Sequence, residues 1–411
     1  MTETQARPEP QTVLIAGAGI AGLTLALALK QGLGAAIRVR VADPAWGRVR
    51  KSGRATAIAA GPQRMYETLG VWPDIAAGAQ PILTMAITDS RQKDAVRPVY
   101  LRFDGELAAG RPFAHMVEDD DLVAALARHC VAEGVEIAAD KVERITPGAG
   151  VALAAMAGGA DIAARLIVAA DGGQSPLRRM MRIGTVGRDY PLTGIVATIG
   201  HERPHEGRAD EHFLENGPFA LLPLTGNRCS IVWTTGRENA RRLAALPAAD
   251  FLGELEELAG FHLGEIELLD GPRLFPLAMR LARSYIAPRF ALAGDAAHVI
   301  HPLAGQGLNL GLRDVAALAE GICDQVRLGL DAGGEAMLEA YQRARRFDTL
   351  TMAAGMDAMD GLFRTDLLPV RLLRDLGLGI VNRMPGVKSM LMREAAALSG
   401  GAGRLFRGEL L

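Results

Sequence analysis

Four short, largely hydrophobic runs along the chain each end at a glycine or an aspartate. They cover residues 12–16, 37–42, 166–170 and 290–293. Apolar runs of this length, next to segments with helical periodicity, are typical of parallel strands buried between helices. The first run leads into a helical pattern that reaches residue 29, and the last precedes one that begins near Leu308. The pattern therefore predicts an α/β fold built on a parallel sheet.

Residues 82–103 and 190–235 follow a different pattern. They have the composition of strands punctuated by proline and glycine, for example "FALLPLTGNRCSIVWTT", and they lack the strand–helix alternation of the flanking regions. This pattern favours an antiparallel sheet that is inserted into the parallel α/β fold and that binds a substrate.

The turn after the first run carries the glycines Gly17, Gly19 and Gly22 in "GAGIAG". Glycines at this spacing allow a tight turn, a close approach of backbone to a pyrophosphate, and packing of the helix on the strand. Asp43, which ends the second run, is positioned to accept a hydrogen bond from a ribose hydroxyl. The arrangement predicts a dinucleotide site, but it does not distinguish FAD from NAD. The predicted contacts include Ala18, Ile20 and Ala21.

Two further polar residues follow the same logic. Arg54 precedes a helix predicted at 62–69, and its guanidinium suits a pyrophosphate or a flavin edge; a solvent-exposed arginine is the alternative. Asp171 ends the run 166–170, at the strand end where ligands bind in doubly wound sheets. A purely structural turn explains Asp171 equally well.

The segment 294–314, "GDAAHVIHPLAGQGLNLGLRD", combines an acid with a glycine-rich helix start. Asp295 can accept hydrogen bonds from the hydroxyls of a ribityl chain. The N-terminus of the following helix stabilises negative charge, as on the edge of a reduced isoalloxazine ring. We therefore predict that this turn holds the flavin of FAD. The residues predicted to line it are Gly305, Gln306, Gly307, Leu308 and Asn309.

Composition excludes several other classes. The net charge is −2 with both signs interspersed, which is unlike a nucleic-acid-binding surface. The three cysteines lie far apart, so neither a disulfide framework nor a metal site is predicted. The polar N-terminus lacks a signal core, and the apolar region 151–170 contains Asp161 and Arg165. We expect a cytoplasmic protein.

Taken together, the three motif segments resemble those of the flavoprotein aromatic hydroxylases. The segment 294–314 is similar to the signature of the ubiquinone-biosynthesis branch, as are "GRATAIAAG", "HEGRADEHFLENGPFALLPL" and "LFRTDLLPVRLLRDLGLGIVNRMPGVK". The similarity extends over nearly the whole chain, and it is strongest to the 2-polyprenyl-6-methoxyphenol hydroxylases. Two positions depart from the family pattern: Ser52 replaces an aspartate, and Asp119 replaces an asparagine.

The resemblance implies a fold like that of para-hydroxybenzoate hydroxylase, with a Rossmann-like FAD-binding domain, an inserted antiparallel substrate-binding sheet and C-terminal helices. The implied ranges are 1–80, 110–182 and 285–350 for the FAD-binding domain, 81–109 and 183–284 for the substrate-binding domain, and 351–411 for the C-terminal helical segment. The implied FAD contacts are Gly17, Gly19, Gly22, Asp43, Arg54, Asp171, Asp295 and the range 305–309. Asp171 would also serve the electron donor.

The resemblance also implies a reaction. NAD(P)H or a protein donor reduces FAD, O2 forms a flavin C4a-hydroperoxide, and one oxygen atom is transferred to the ring of a polyprenylated phenol. The chemistry belongs to the flavin, so the resemblance itself assigns no catalytic residue. His298, His301 and Pro302 flank the turn and are the candidates; for either histidine a structural role is the alternative.

The C-terminal region 362–393 mixes leucines and methionines with arginines, which suits a peripheral contact with the inner face of the membrane. A helical cap packed on the FAD-binding domain is an equal alternative. Other ubiquinone-biosynthesis enzymes are possible partners, and no nucleic acid is expected. Two alternatives to the main function remain: a non-catalytic FAD-binding scaffold of a biosynthetic complex, and a hydroxylase of another small phenol.

Overall fold

The computed structural model describes residues 9–48, 51–89, 99–104, 106–108, 111–214, 216–300, 306–364, 386, 396–398 and 403–411. The candidates His301, Pro302 and Gly305 lie outside these residues, as does most of the region 362–393. Within the described part of the chain, every helix is too short or too polar to traverse a lipid bilayer.

The first sheet contains the four predicted strands. All its pairings are parallel except that of its last strand. Across the described part of the sheet the order is Glu136–Ala138, Ile37–Ala42, Gln11–Ala16, Leu166–Ala169, Phe290–Leu292 and Ile286–Ala287. The side chains of Leu166–Ala169 and Phe290–Leu292 are buried, as are most of those of Gln11–Ala16, because helices cover the sheet. The carboxyl ends of the central strands meet at one edge, where Gly17, Asp43, Asp171 and Asp295 follow them.

The second sheet is antiparallel at every pairing but one, in which Arg208–Leu214 runs parallel to Thr84–Asp89. Its described strands, in order, are His298–Val299, Ile266–Ala282, Thr185–His201, Arg228–Gly236, Gly217–Leu224, Arg208–Leu214, Thr84–Asp89 and Val99–Asp104. One face packs against the helices Arg237–Ala244 and Ala248–Ala259. The other face is therefore left to line a cavity.

The smaller sheets connect these layers. Their strands are Val142–Pro147, Ala152–Met156 and Asp161–Ala164; Ala55–Ala59, Ala114–Glu118 and Gln80–Pro81; and Glu106–Ala108 with Arg111–Pro112. The remaining helices are Ile20–Leu33, Ala60–Thr68, Trp72–Ile75, Asp119–Ala132, Pro176–Met180, Gln306–Arg327, Glu335–Arg364 and Arg404–Arg407, with short 3-10 turns at Gly34–Ala36, Ala76–Gly78, Phe261–Leu263 and Gly294–Ala296. The helix predicted at 62–69 begins two residues earlier, at Ala60, and the helix predicted near Leu308 begins at Gln306.

Candidate active site

A cavity of about 600 Å³ lies between the two sheets. One part, the glycine-lined half, is formed by residues 19–21, 54–57, 59, 119, 170, 172, 293–295, 306–309 and 311. The other part, the sheet half, is formed by residues 82, 85, 103, 113, 114, 194, 196, 211, 218, 220, 222, 230, 232, 234 and 275–278. The strand-end residues of the first sheet thus open into the same space as the free face of the second sheet.

The glycine turn has little room on one side and open space on the other. Gly17 has a φ of +113°, and a Cβ there would lie 2.2 Å from the carbonyl oxygen of Ala170. A Cβ on Gly22 would lie 2.0 Å from the carbonyl oxygen of Gly17. By contrast, no heavy atom lies within 4 Å of a Cβ built on Gly19. Gly17 and Gly22 are therefore required by packing, whereas Gly19 leaves the helix N-terminus accessible from the cavity.

Asp43 lies behind this turn. Its Oδ2 accepts a hydrogen bond from the backbone N–H of Ala18 at 2.9 Å, and its Oδ1 accepts one from the N–H of Ala45 at 2.7 Å. Ala18 is buried, and neither Ala18 nor Asp43 lines the cavity directly. Asp43 thus stabilises the glycine turn, and each of its oxygens retains a further lone pair for a ligand hydroxyl.

Arg54 lines the cavity beside Asp119. The two side chains form an ion pair with an Nε–Oδ2 distance of 3.7 Å, and Thr56 donates a hydrogen bond to Asp119 at 2.6 Å. The Arg54 guanidinium also lies 5.7 Å from the ring centroid of Phe275. Burial raises the pKa of Asp119, while Arg54 and Thr56 act to lower it. The sequence motifs identified Arg54 but assigned no site role to Asp119.

The two departures from the family pattern lie close together. The backbone N–H of Ser52 donates hydrogen bonds to the carboxylate of Asp120, and its hydroxyl accepts one from the N–H of Arg54. Asp119 and Asp120 open the helix Asp119–Ala132. The acidic helix start therefore binds both the loop before Arg54 and the Arg54 side chain.

Asp171 follows the strand Leu166–Ala169, as predicted, but lies just behind the cavity wall formed by Gly172. Its Oδ2 accepts a hydrogen bond from the N–H of Leu177 at 3.1 Å, and burial raises its pKa. The Ser175 hydroxyl accepts a hydrogen bond from the N–H of Arg178 and so caps the helix Pro176–Met180 that follows Asp171.

Asp295 is exposed and lines the cavity, as does the first turn of the helix Gln306–Arg327. Gln306, Gly307 and Leu308 also line the cavity, and no heavy atom lies within 4 Å of a Cβ built on Gly307. The acid and the bare helix start predicted from the sequence are thus brought together at one wall.

Asn309 has a further role. Its Oδ1 accepts a hydrogen bond from the N–H of Ala59 at 3.0 Å, and its Nδ2 donates one to the carbonyl of Ala57 at 2.8 Å. The side chain is buried. It therefore ties the helix start to the strand Ala55–Ala59, which follows Arg54.

A buried charged cluster supports the Asp295 turn from behind. Asp314 accepts hydrogen bonds from the N–H of Gly294 at 3.0 Å, from His298 Nε2 at 2.6 Å and from Arg345 Nε at 2.8 Å. Although burial acts to raise the pKa of Asp314, His298 and Arg345 hold it below its usual range. His298 is fully buried and does not line the cavity. The sequence motifs did not identify Asp314 or Arg345, because their partners come from distant segments.

The sheet half is walled mainly by apolar side chains, among them Met85, Phe113, Leu222 and Val232. Glu211 also lines it, and burial raises the pKa of its carboxyl to about 7. Sequence reasoning missed Glu211. The sequence shows an acid within a predicted strand, where side chains alternate between the two faces of the sheet. Which of these faces lines the cavity is decided by strand pairing, which the sequence does not show.

Residues 11–352 match the FAD binding domain family. Ubiquinone hydroxylase UbiL of Rhodospirillum rubrum is 41% identical over 387 residues, which cover 93% of this chain and 89% of that protein. The 3-demethoxyubiquinol 3-hydroxylase of Escherichia coli is 31% identical over 401 residues, which cover 95% of this chain and 99% of that protein.

A solved structure supports the fold. The p-nitrophenol 4-monooxygenase PnpA from Pseudomonas putida DLL-E4 superposes with a TM-score of 0.78 at 20% sequence identity, covering 95% of this chain and 99% of that one. The expected fold class and the resemblance to ubiquinone-biosynthesis hydroxylases are thereby confirmed. The chain belongs to the FAD-dependent aromatic hydroxylases of ubiquinone biosynthesis.

Proposed function

We propose that the chain uses FAD, O2 and electrons from NAD(P)H or a protein donor to hydroxylate the aromatic ring of a polyprenylated phenol. The observation that carries this proposal is the single cavity that joins the two halves. The glycine-lined half matches the requirements of a dinucleotide, and the sheet half offers an apolar wall suited to an aromatic ring. The relatives named for ubiquinone biosynthesis support the substrate class.

The residues present fit FAD. Gly19 and Gly307 leave open space beside two helix N-termini, which favour the negative charge of a pyrophosphate and of a ring edge. We assign the pyrophosphate to the turn 17–22, a ribose hydroxyl to Asp43, the ribityl chain to Asp295 and the ring edge to residues 305–309, beside Arg54. Asp171 is assigned to the electron-donor side. We propose the same domain ranges that the resemblance implies.

When bound, FAD supplies the redox chemistry and the activation of O2. The protein contributes binding and orientation. The start of the helix Gln306–Arg327 stabilises negative charge beside it by about 0.3–2 kcal/mol. The apolar side chains of the sheet half exclude water from the ring.

Specificity for such a substrate must come from its aromatic head. Burying a methylene group against water is worth about 0.8 kcal/mol, but a polyprenyl tail leaves a lipid phase that is equally apolar. The tail therefore adds little net affinity, and the head group must be distinguished by polar contacts in the cavity.

Access from lipid requires contact with a membrane, and we assign this contact to the basic and apolar region 362–393, most of which lies outside the described residues. Sedimentation with anionic liposomes tests it. Binding should weaken with salt and disappear when residues 362–411 are deleted. Equal binding by a truncated protein that still holds FAD would assign the contact to another surface.

Product identification tests the function itself. Purified holoenzyme should be incubated with electron donor and a set of phenols that differ in prenyl length and methoxylation. We expect one hydroxylated product from a prenylated methoxyphenol, together with faster reoxidation of the flavin when that phenol is present. If the donor is consumed and peroxide is released, but none of these phenols is hydroxylated, the substrate is another small phenol. If the donor does not reduce the flavin at all, the chain is an FAD-binding scaffold.

A further inference from the structure

Among the described residues of the sheet half, Glu211 is the one ionisable side chain that lines the cavity. It lies on the strand Arg208–Leu214, between Ala220 on one neighbouring strand and Ile87 on the other. Side chains alternate across a sheet, so Asp210 and His212 point to the opposite face. Glu211 is therefore placed in the wall that faces the substrate space.

The surroundings of Glu211 are apolar. The cavity residues nearest to it along the strands are Met85, Pro218, Ala220 and Leu222, and none of them can donate a side-chain hydrogen bond. Within the described part of the chain, the structure provides no hydrogen-bond donor or basic partner for its carboxyl. Glu211 is half-buried in the cavity wall, and removing a carboxyl from water without a partner is costly, so a molecule that fills the cavity would have to supply the donor.

The other charged groups of the described lining belong to the glycine-lined half. They are Arg54, Asp119 and Asp295. Arg54 is paired with Asp119, whereas burial accounts for the raised pKa of Glu211, which is about 7. The carboxyl of Glu211 is consequently ionised in a substantial fraction of molecules at neutral pH and is available as an acceptor.

We propose that Glu211 accepts a hydrogen bond from the phenol hydroxyl of the substrate and is the residue that makes the sheet half specific for phenols. This inference rests on the proposed function. A hydrogen bond from a neutral hydroxyl to a carboxylate is among the stronger polar contacts in a protein. It also places electron density on the phenol oxygen, which makes the ring more nucleophilic, and it fixes the orientation of the ring in the cavity.

The consequence is discrimination against ligands that lack the hydroxyl proton. A cavity that contains a buried polar group disfavours an analogue that leaves this group unpaired. An O-methyl ether keeps the shape and apolar surface of the phenol but donates no hydrogen bond. The ether should therefore bind more weakly than the phenol, and the difference should depend on the ionisation of Glu211.

Binding to the oxidised holoenzyme, without donor and hence without turnover, tests this directly. The probes are 2-prenyl-6-methoxyphenol and its O-methyl ether, and the signal is the change in flavin absorbance or the heat of binding. At about pH 8 the wild type should prefer the phenol by about ten- to a hundredfold. The preference should shrink at about pH 5.5, where Glu211 is protonated. In Glu211→Gln, whose amide oxygen is an uncharged and weaker acceptor, it should be small and the same at both pH values.

The matched control is Glu267→Gln. It makes the same substitution in the second sheet, at an exposed position outside the cavity, and should leave the preference and its pH dependence unchanged. Glu211→Asp keeps the carboxylate and should restore part of the preference. Retention of the flavin spectrum in each variant establishes that it is folded.

The outcomes separate the two proposals. If the wild type prefers the phenol and Glu211→Gln prefers it equally, the role of Glu211 is overturned while the substrate class stands. If the wild type binds phenol and ether equally at both pH values, the hydrogen bond is likewise overturned. If the FAD-loaded wild type binds neither probe, the proposed phenol substrate is wrong, and the inference falls with it.

Discussion

The two halves of the cavity are built by different means. The glycine-lined half is made largely of backbone: turns at Gly17 and Gly22 that have no room for a side chain, and the bare helix start at Gly307. The sheet half is made of side chains. Among its described lining residues, the polar side chains are hydroxyls and the carboxyl of Glu211. The cofactor is common to a whole family and is held largely by backbone groups, which every sequence has. Substrate specificity depends instead on side chains, which can vary between sequences.

This difference predicts how each half responds to substitution. In the glycine-lined half, a single added methyl group should either disrupt the fold or block the cofactor, depending on which side of the turn it occupies. In the sheet half, changes should leave FAD in place and alter ligand preference.

The largest expected effect is that of Gly22→Ala. Its methyl group would lie 2.0 Å from the carbonyl oxygen of Gly17, so we expect a loss of stability of about 4–5 kcal/mol. Gly19→Ala is the matched variant, because a Cβ there meets nothing within 4 Å. Its apo-protein should retain its stability within about 1 kcal/mol, yet bind FAD far more weakly. Chemical unfolding and FAD titration separate the two effects; full FAD affinity in Gly19→Ala would contradict the assigned pyrophosphate site.

The buried cluster behind the Asp295 turn should show the next largest effect. Asp314→Asn leaves Arg345 without its buried partner, and we expect a loss of about 3–5 kcal/mol in the free energy of unfolding. Because the pKa of Asp314 is depressed in the folded state, its contribution is present above about pH 4 and is lost as the pH falls further.

The control for this cluster is Asp348→Asn, which removes a partly exposed partner of Arg345 and Arg313 and should cost about 1 kcal/mol. Urea unfolding at neutral pH and at about pH 3 measures both variants. Equal losses for Asp314 and Asp348 would show that burial of the cluster is not what supports the turn.

A smaller effect is expected for Asp295→Ala, since this residue is exposed, lines the cavity and makes no hydrogen bond or ion pair with the described residues. Removing a charged acceptor worth about 1.5–3 kcal/mol should weaken FAD binding by about ten- to a hundredfold and leave the stability of the apo-protein unchanged. Glu143→Ala, an exposed carboxyl on the small sheet beginning at Val142, is the control. Unchanged FAD affinity in Asp295→Ala would remove the ribityl assignment.

The sequence was informative where function depends on local backbone. The spacing of Gly17, Gly19 and Gly22 and the acid before Gly307 could be interpreted directly, because a turn and the helix after it are contiguous in the chain. Glu211 and Asp314 could not be found in this way. The inner face of a strand is decided by its pairing with strands up to 124 residues away, and the partner Arg345 of Asp314 comes from another helix.

Oxygen labelling tests the central claim, hydroxylation of a prenylated phenol by flavin chemistry in this cavity, most directly. Holoenzyme, electron donor and a 2-polyprenyl-6-methoxyphenol should be incubated once under labelled O2 and once in labelled water, and the product analysed by mass spectrometry. We predict one labelled hydroxyl per donor consumed under labelled O2, and no label from water. Label that arrives from water, or donor consumption that yields peroxide and unchanged phenol, would contradict the account.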